Sequence, residues 1–99
     1  MSRTLVIEPE AEAEINESVE WYEQRNPAAR AEFVRSITKA LRSITDNPEQ
    51  YQVVYRTTRR VLVEGFPYAL FYVIRGQNIH VISCFHTSRN PRAWRDRLR

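Results

Sequence analysis

The chain has 99 residues, of which 42% are hydrophobic and 27% are charged, a composition typical of one small globular domain spanning 1–99 rather than of a disordered segment. No apolar run approaches the ~20 residues needed to cross a bilayer, and the amino terminus lacks the apolar core of a signal peptide, so the sequence predicts a cytoplasmic protein with no membrane contact. The single cysteine, Cys84, excludes an internal disulfide and is expected to be buried in a strand.

The net charge of +3 is distributed unevenly along the chain. Residues 1–50 carry a net charge of −4, whereas residues 51–99 carry +7, and every basic residue in the second half is arginine. Arginine binds phosphate, carboxylate and aromatic groups through a planar fork of donors. The second half therefore predicts an anionic partner, either nucleic acid or an acidic protein segment.

The first predicted elements are a strand over 3–7 and a helix that begins at Glu8-Pro9, where proline suits the first helical turn. The expected core stripe of this helix recurs at helical spacing and consists of Ala11, Ile15, Val19 and Tyr22, with Ser18 beside them. The glutamates that cover much of the remaining surface are expected to face solvent or a partner. Trp21 lies ~100° around the helix from Tyr22, which places it at the edge of the packed face or against a partner.

A second helix is predicted to begin at Asn26-Pro27, a cap followed by a first-turn proline, and to end at Asp46-Asn47-Pro48. Its apolar positions are Phe33, Val34, Ile37, Leu41 and Ile44. Because only a few residues separate the two helices, they are expected to form an antiparallel hairpin that covers one face of a sheet.

The rest of the chain is predicted to form β-strands and a terminal segment. Candidate strands cover 51–56 and 59–64, and two apolar arms, 66–74 and 79–85, flank a turn around Gly76. Both arms are apolar on both faces, which predicts a sheet that is covered on both sides. The segment 92–98 is predicted as a short helix or tail. The fold class is therefore α+β: an N-terminal strand, a helical hairpin and a small antiparallel sheet of about four further strands.

A two-residue turn at Gly76-Gln77 predicts a specific strand register. The expected pairs are Ile74 with Ile79, Tyr72 with Val81, Leu70 with Ser83, and Tyr68 with Phe85. This face is expected to pack against the helices. The opposite face would carry Ala69, Phe71, Val73, His80, Ile82, Cys84 and His86. A slip of one residue would exchange the two faces.

The residues that could carry chemistry gather at the end of the last predicted strand. The sequence has no Gly-rich phosphate loop, no metal cluster and no sign of a cofactor. The arginines expected around His86 are Arg59, Arg60, Arg89, Arg92 and Arg95. For RNA cleavage, arginines would stabilise the scissile phosphate and a histidine would move a proton, so the candidate catalytic residues are His86, Arg89 and Arg60. The alternative is that His86 builds a turn and Arg89 binds a carboxylate.

Several short motifs, taken together in their order along the chain, are similar to those of a known protein superfamily. The motifs are Trp21-Tyr22, the stripe of the second helix, Asn47-Pro48 with Tyr51, Arg59-Arg60-Val61-Leu62, Phe66-Pro67-Tyr68 with Phe71-Tyr72, and His86 with Arg89-Asn90-Pro91 and Trp94. In this order and at this length, nearly the whole chain resembles the toxins of the RelE/ParE superfamily, and the ParE-like or plasmid stabilization branch in particular. The resemblance implies a helical hairpin on a small antiparallel sheet.

The same resemblance implies the toxin half of a type II toxin–antitoxin pair, in which the C-terminal segment of an antitoxin wraps and inactivates the toxin. Free ParE-type toxins poison DNA gyrase, whereas RelE-type toxins cut mRNA in the ribosome. The RelE-type set of basic residues is incomplete here, because its positions fall near Ala69 and Thr87. This favours a gyrase-directed toxin that is not an enzyme. The alternatives are a ribosome-dependent mRNA endonuclease using His86, Arg89 and Arg60, and a toxin-like protein without toxicity.

Two partner surfaces follow from these expectations. The target-binding residues would be Arg59, Arg60, Arg89, Arg92, Trp94 and Arg95. The antitoxin-binding residues would be Trp21, Phe71, Ile82 and Trp94. The antitoxin segment would be acidic and apolar and would fold as it binds, giving a toxin–antitoxin hetero-oligomer. This groove requires Phe71, Ile82 and Trp94 to be exposed in the free chain.

Overall fold

The computed structural model describes residues 3–89 and 92–96, and the side chains of Ala93 and Trp94 lie outside that description. The chain begins with strand β1 (Thr4–Ile7), helix α1 (Pro9–Arg25) and helix α2 (Pro27–Asp46), followed by a 3₁₀ turn at Pro48–Gln50. Strands β2 (Val53–Tyr55), β3 (Thr58–Leu62), β4 (Tyr68–Arg75) and β5 (Asn78–His86) follow, and then a short helix α3 (Arg92–Arg95). None of the helices in the described ranges combines the length and the apolar character that crossing a bilayer requires.

The five strands form one sheet in the order β1-β5-β4-β3-β2. The β2, β3, β4 and β5 strands pair antiparallel with their neighbours, whereas β1 pairs parallel with β5. The Glu8 N–H donates to the Val81 carbonyl at 2.9 Å, and this bond ends the β1 pairing as the chain turns into α1. The predicted α+β fold is confirmed. The strand patterns did not predict the parallel pairing of β1 with β5.

Both helices begin, and α2 ends, where the sequence predicts, whereas α1 continues to Arg25 so that Asn26 alone separates the two helices. Pro9 and Pro27 occupy the first turns of α1 and α2. The Asn26 side chain accepts a hydrogen bond from the Ala29 N–H at 3.3 Å and so caps α2. The helix ends at Asp46, because proline at position 48 cannot continue it. The helices therefore form the predicted hairpin.

The core lies between this hairpin and one face of the sheet. Its fully buried members include Ala11, Phe33, Ile44, Leu70 and Tyr72. Truncation of Phe33 or Ile44 to alanine is expected to cost roughly 2–5 kcal/mol, because each leaves a cavity in a packed interior. The Tyr72 hydroxyl donates to the Pro48 carbonyl at 2.5 Å and ties the 3₁₀ turn to the sheet. Burial raises the pKa of Tyr72 to about 12, against the lowering effect of the nearby Arg59 guanidinium.

A β-bulge at Ile82 divides the β4–β5 hairpin into two registers. The predicted pairs of Ile74 with Ile79 and of Tyr72 with Val81 are confirmed. Beyond them the register shifts by one residue, so Phe71 lies opposite Ser83 and Ile82 is the extra residue of β5.

The predicted pairs beyond the bulge are therefore wrong, because a fixed two-residue alternation cannot include an inserted residue. Leu70 pairs with Cys84 rather than with Ser83, and Tyr68 pairs with His86 rather than with Phe85. Cys84 and His86 consequently face the helices, and Phe85 faces the opposite side of the sheet. The other face of the sheet loses two of the residues that were expected there.

The opposite face carries a second apolar cluster, formed by Ala69, Phe71, Val73, Ile82 and Phe85. Val54 and Tyr55 of β2 pack against it. Phe71 and Ile82 are only 5% and 8% exposed, so the expectation that both are exposed in the free chain is wrong. Strands that are apolar on both sides need cover, and for these two residues the chain supplies that cover itself.

Candidate functional site

Three arginines that are distant in sequence line one cavity on the sheet face opposite the helices. The cavity has a volume of about 280 Å³. Its walls are Val54, Arg60, Ala69, Phe71, Phe85, His86, Thr87, Arg89 and Arg95. We call it the arginine cavity. Its basic groups come from β3, from the loop after β5 and from α3, so three separate elements have to pack correctly to form it.

Local structure explains how each guanidinium reaches the cavity. Arg60 lies opposite Phe71 in the β3–β4 ladder, and the two side chains therefore share a face. The Arg89 guanidinium lies 4.5 Å from the centre of the Phe85 ring. The backbone N–H of Arg89 donates a hydrogen bond to the His86 carbonyl at 3.0 Å. The bulge makes the Arg89 contact possible, because it turns the Phe85 ring to this face.

Arg95 closes the cavity from the carboxyl-terminal side. Its guanidinium lies 5.0 Å from the centre of the Tyr55 ring, which places α3 beside β2. None of the described residues that line the cavity is an aspartate or a glutamate. The cavity is therefore electropositive and has apolar walls, an arrangement that suits an anion.

Arg59 does not join the arginine cavity. It pairs with Tyr72 in the ladder, which directs its side chain to the helix face. There its guanidinium donates to the Glu49 carbonyl at 3.1 Å and to the Tyr51 carbonyl at 2.6 Å. Arg59 thus holds the segment before β2 and lies on the opposite face of β3 from Arg60, because side chains alternate along a strand. Its predicted contact with the target stays a prediction.

Arg92 and Trp94, the two other residues that were predicted to bind the target, lie on α3. Arg92 is exposed at the start of this helix and is not among the residues that line the cavity. The Trp94 side chain lies outside the described residues, so its predicted contacts with target and antitoxin stay predictions.

His86 lies at the edge where the two faces of the sheet meet. Its ring packs edge-on against Tyr68, with 5.2 Å between ring centres. Its Nδ1 accepts a hydrogen bond from the Ser88 backbone N–H at 3.2 Å, and the Ser88 hydroxyl lies 2.7 Å away. Because a backbone N–H can only donate, Nδ1 has no proton and the neutral ring carries its proton on Nε2. Nε2 is then a donor and has no lone pair with which to accept a proton.

A second cavity, of about 160 Å³, lies on the helix side of the same edge. Its walls are Glu14, Glu17, Ser18, Trp21, Tyr68, Cys84, His86 and Arg89. We call it the helix cleft. His86 and Arg89 line both cavities, so the two are neighbours across the end of β5.

Trp21 forms the rim of the helix cleft. It is 48% exposed, and the Arg25 guanidinium lies 4.2 Å above its ring. Of the three predicted antitoxin-binding residues whose side chains the structure describes, Trp21 is the one that lies on the surface.

Glu14 and Cys84 form the floor of the helix cleft. The Glu14 carboxylate accepts a hydrogen bond from the Cys84 backbone N–H at 3.0 Å. Burial, with a smaller contribution from the Glu14 charge, raises the pKa of the Cys84 thiol to about 12. This thiol is neutral at physiological pH and is not suited to nucleophilic chemistry.

Sequence reasoning missed two residues of this region, although each carried a signal. Ser88 follows His86 by two residues, and a short hydroxyl residue in a turn commonly bonds back to its neighbours. Glu14 lies three residues after Ala11 and four before Ser18, which places it next to the core stripe rather than on the solvated face. The described residues contain no group of three or more His, Cys, Asp or Glu that could hold a metal ion.

Solved structures with the same fold share little sequence with this chain. The chromosomal ParDE TA system from P. aeruginosa matches with a TM-score of 0.76 at 14% identity, over 87% of this chain and 97% of that one. A YoeB/ParE toxin from Agrobacterium tumefaciens matches with a TM-score of 0.57 at 15% identity, over 84% and 96%. The YoeB dimer from Staphylococcus aureus matches with a TM-score of 0.53 at 18% identity, over 83% and 93%.

Sequence comparison adds the family to the fold. No curated protein sequence matches the chain. The family model for the ParE toxin of the type II toxin–antitoxin system, parDE, matches residues 5–91 and so includes both helices and all the strands from β2 to β5. The chain belongs to the ParE toxin family of type II toxin–antitoxin systems.

Proposed function

We propose that this ParE-family toxin acts by binding its target rather than by cleaving RNA, that its target is DNA gyrase, and that a cognate antitoxin holds it inactive. One observation carries the proposal. The arginine cavity offers guanidinium groups for an anionic surface, while the nearby imidazole of His86 has its Nδ1 occupied by the Ser88 N–H. His86 would have to break that hydrogen bond to use Nδ1 as a general base, which favours binding over cleavage.

A supercoiling assay with purified gyrase tests the target. We expect the full chain, freed of antitoxin, to inhibit supercoiling or to trap cleaved DNA. Arg89→Ala should weaken the effect, because Arg89 lines both cavities. Arg75→Ala is the matched control, since Arg75 is an exposed arginine at the far end of β4. No effect of the folded chain at a large molar excess over gyrase would contradict the gyrase proposal.

The second candidate is a ribosome-dependent mRNA endonuclease, which is favoured by the presence of His86 among the residues that line the arginine cavity. Cleavage of ribosome-bound mRNA that is lost in His86→Ala, Arg89→Ala and Arg60→Ala would establish it. The same assay separates the two candidates, because a toxin that only binds leaves the mRNA intact. Circular dichroism of each variant would show whether the fold survives the substitution.

We infer that the antitoxin segment is acidic and apolar and follows the edge that joins the two cavities. Its carboxylates would meet Arg60 and Arg89, and an apolar side chain would pack on Trp21. The buried side chains of Phe71 and Ile82 offer this segment little accessible surface, although Phe71 lines the arginine cavity. The result would be a toxin–antitoxin hetero-oligomer.

Co-purification with the antitoxin tests this surface. Trp21→Ala and Arg89→Ala should each reduce retention of the antitoxin. Val34→Ala is the control, because Val34 is 38% exposed but lies on α2 away from both cavities. Equal retention by all three variants would place the antitoxin elsewhere.

A further inference from the structure

The arginine cavity gathers three guanidinium groups between walls that, among the described residues, include no acidic side chain. Within that part of the chain, Arg60 and Arg89 each have no carboxylate partner, and no acidic residue lines the walls. Guanidinium groups that share one cavity repel one another, and the apolar walls contributed by Val54 and Phe71 reduce screening by water. A bound anion would relieve this repulsion.

The chemistry of the walls selects the class of anion. Arginine presents parallel N–H donors that match the oxygens of phosphate, and three such side chains can share the several oxygens of one phosphate group. A single carboxylate offers only two oxygens and one charge. The volume of about 280 Å³ lies just below the range of about 300–1,000 Å³ typical of sites for whole small-molecule ligands. The cavity therefore has room for one phosphate group together with part of the molecule that carries it.

The three arginines also connect separate parts of the fold. Arg60 belongs to β3, Arg89 follows β5, and Arg95 belongs to α3 and lies over Tyr55 of β2. An anion shared by all three would join α3 to the sheet. A ligand that binds only the joined state stabilises that state by RT ln(1 + c/Kd), where c is the free ligand concentration, so the effect grows with the logarithm of c once c exceeds Kd.

We propose that the arginine cavity is a phosphate-binding site, held jointly by Arg60, Arg89 and Arg95, and that the bound phosphate fastens α3 to the sheet. The site goes beyond the proposed function, because it does not depend on gyrase being the target. The acidic antitoxin segment would compete with phosphate for the same guanidinium groups. The phosphate could belong to inorganic phosphate, to a nucleotide or to a nucleic-acid backbone.

Calorimetric titration with inorganic phosphate, at constant ionic strength set with chloride, tests binding to the full chain. Arg60→Gln, Arg89→Gln and Arg95→Gln should each weaken phosphate binding by about tenfold or more, since each removes charge-assisted hydrogen bonds. Arg75→Gln removes the same charge outside the cavity and should change the affinity by less than about twofold. Absence of phosphate binding beyond the effect of chloride, or an equal loss in Arg75→Gln, would overturn the site.

Amide hydrogen exchange tests the connection to α3. Phosphate should slow exchange of the α3 amides in the natural chain and should not do so in Arg60→Gln, although Arg60 lies on β3. Unchanged α3 exchange under saturating phosphate would overturn the fastening of α3. Neither readout involves gyrase, so failure of this proposal and failure of the proposed target are distinguishable.

A comparison of phosphate sources completes the test. Adenosine monophosphate, a short single-stranded DNA, a short single-stranded RNA and duplex DNA should each compete with inorganic phosphate, and the tightest competitor identifies the source. A glutamate-rich peptide that binds the three arginines while phosphate does not would overturn the proposal in favour of a protein carboxylate.

Discussion

The Glu14 carboxylate and the Cys84 backbone N–H, 70 positions apart in the chain, are joined by a hydrogen bond of 3.0 Å. This bond lies beyond the point where β1 stops pairing with β5, the last pair being Ile7 with Val81. A side chain from α1 thus supplies the acceptor that a neighbouring strand would otherwise provide. The bond also holds β5 just after the bulge at Ile82, and this bulge determines which face of the sheet carries the His86 side chain.

Glu14→Ala should therefore destabilise the fold by roughly 1–2 kcal/mol, because a partly buried N–H loses a charged acceptor. Glu14→Gln keeps an oxygen at the same position and should retain most of the stability. Glu17→Ala is the matched control, since Glu17 lines the same cleft but is exposed. Urea unfolding followed by circular dichroism gives the three free energies, and equal stability of Glu14→Ala and Glu17→Ala would contradict the role of this bond.

The Cys84 thiol should be inert in the folded chain. With a pKa raised to about 12, almost none of it is thiolate near neutral pH, and the side chain is buried. A thiol reagent such as DTNB should react at the rate of unfolding and rapidly only in denaturant. Fast stoichiometric labelling of the native chain at pH 8 would contradict the burial of this group.

The same raised pKa predicts how stability changes with pH. The folded state favours the neutral thiol, so the contribution of Cys84 is complete below the unfolded-chain pKa of about 8.5 and is lost as pH rises toward 12. Cys84→Ala should lose less stability than the natural chain between about pH 8.5 and 10, where unfolded thiols ionise first. The comparison of the two chains cancels the contribution of Tyr72, whose pKa is also raised.

Local signals in the sequence predicted the helices and strands of the fold. The arrangement of the site residues depends on one inserted residue, Ile82. Asn26-Pro27 marked the start of α2, and Gly76 marked a hairpin whose first pairs are correct, because caps and turns are determined by nearby residues. The bulge at Ile82 has no such marker, since Ile82, Ser83 and Cys84 suit a regular strand equally well. It reversed the faces of Cys84, Phe85 and His86, and with them the expected environment of the candidate catalytic histidine.

The tautomer of His86 is a direct test of that environment. We expect the neutral ring to carry its proton on Nε2, because the Ser88 N–H donates to Nδ1. Nitrogen-15 NMR of the neutral imidazole should show a protonated Nε2 and an unprotonated Nδ1. Ser88→Ala keeps the backbone donor and should keep this tautomer, so a switch to Nδ1–H in either chain would contradict the geometry and would restore His86 as a candidate base.

Arg59 and Arg60 are adjacent in sequence, but we expect Arg59 to contribute to the stability of the fold and Arg60 to anion binding. Arg59→Ala removes two hydrogen bonds to the Glu49 and Tyr51 carbonyls, and it should lower the free energy of unfolding by roughly 1–3 kcal/mol. Arg60→Ala removes an exposed side chain and should change the free energy of unfolding by less than about 0.5 kcal/mol while it weakens anion binding at the arginine cavity.

Thermal unfolding and phosphate titration of the two variants, measured side by side, separate these roles. Each variant is the control for the other, because both lose one arginine from the same strand. The reverse outcome, in which Arg59→Ala loses anion binding and Arg60→Ala loses stability, would mean that β3 presents its faces the other way round. That result would remove Arg60 from the arginine cavity and with it the structural basis of the phosphate site.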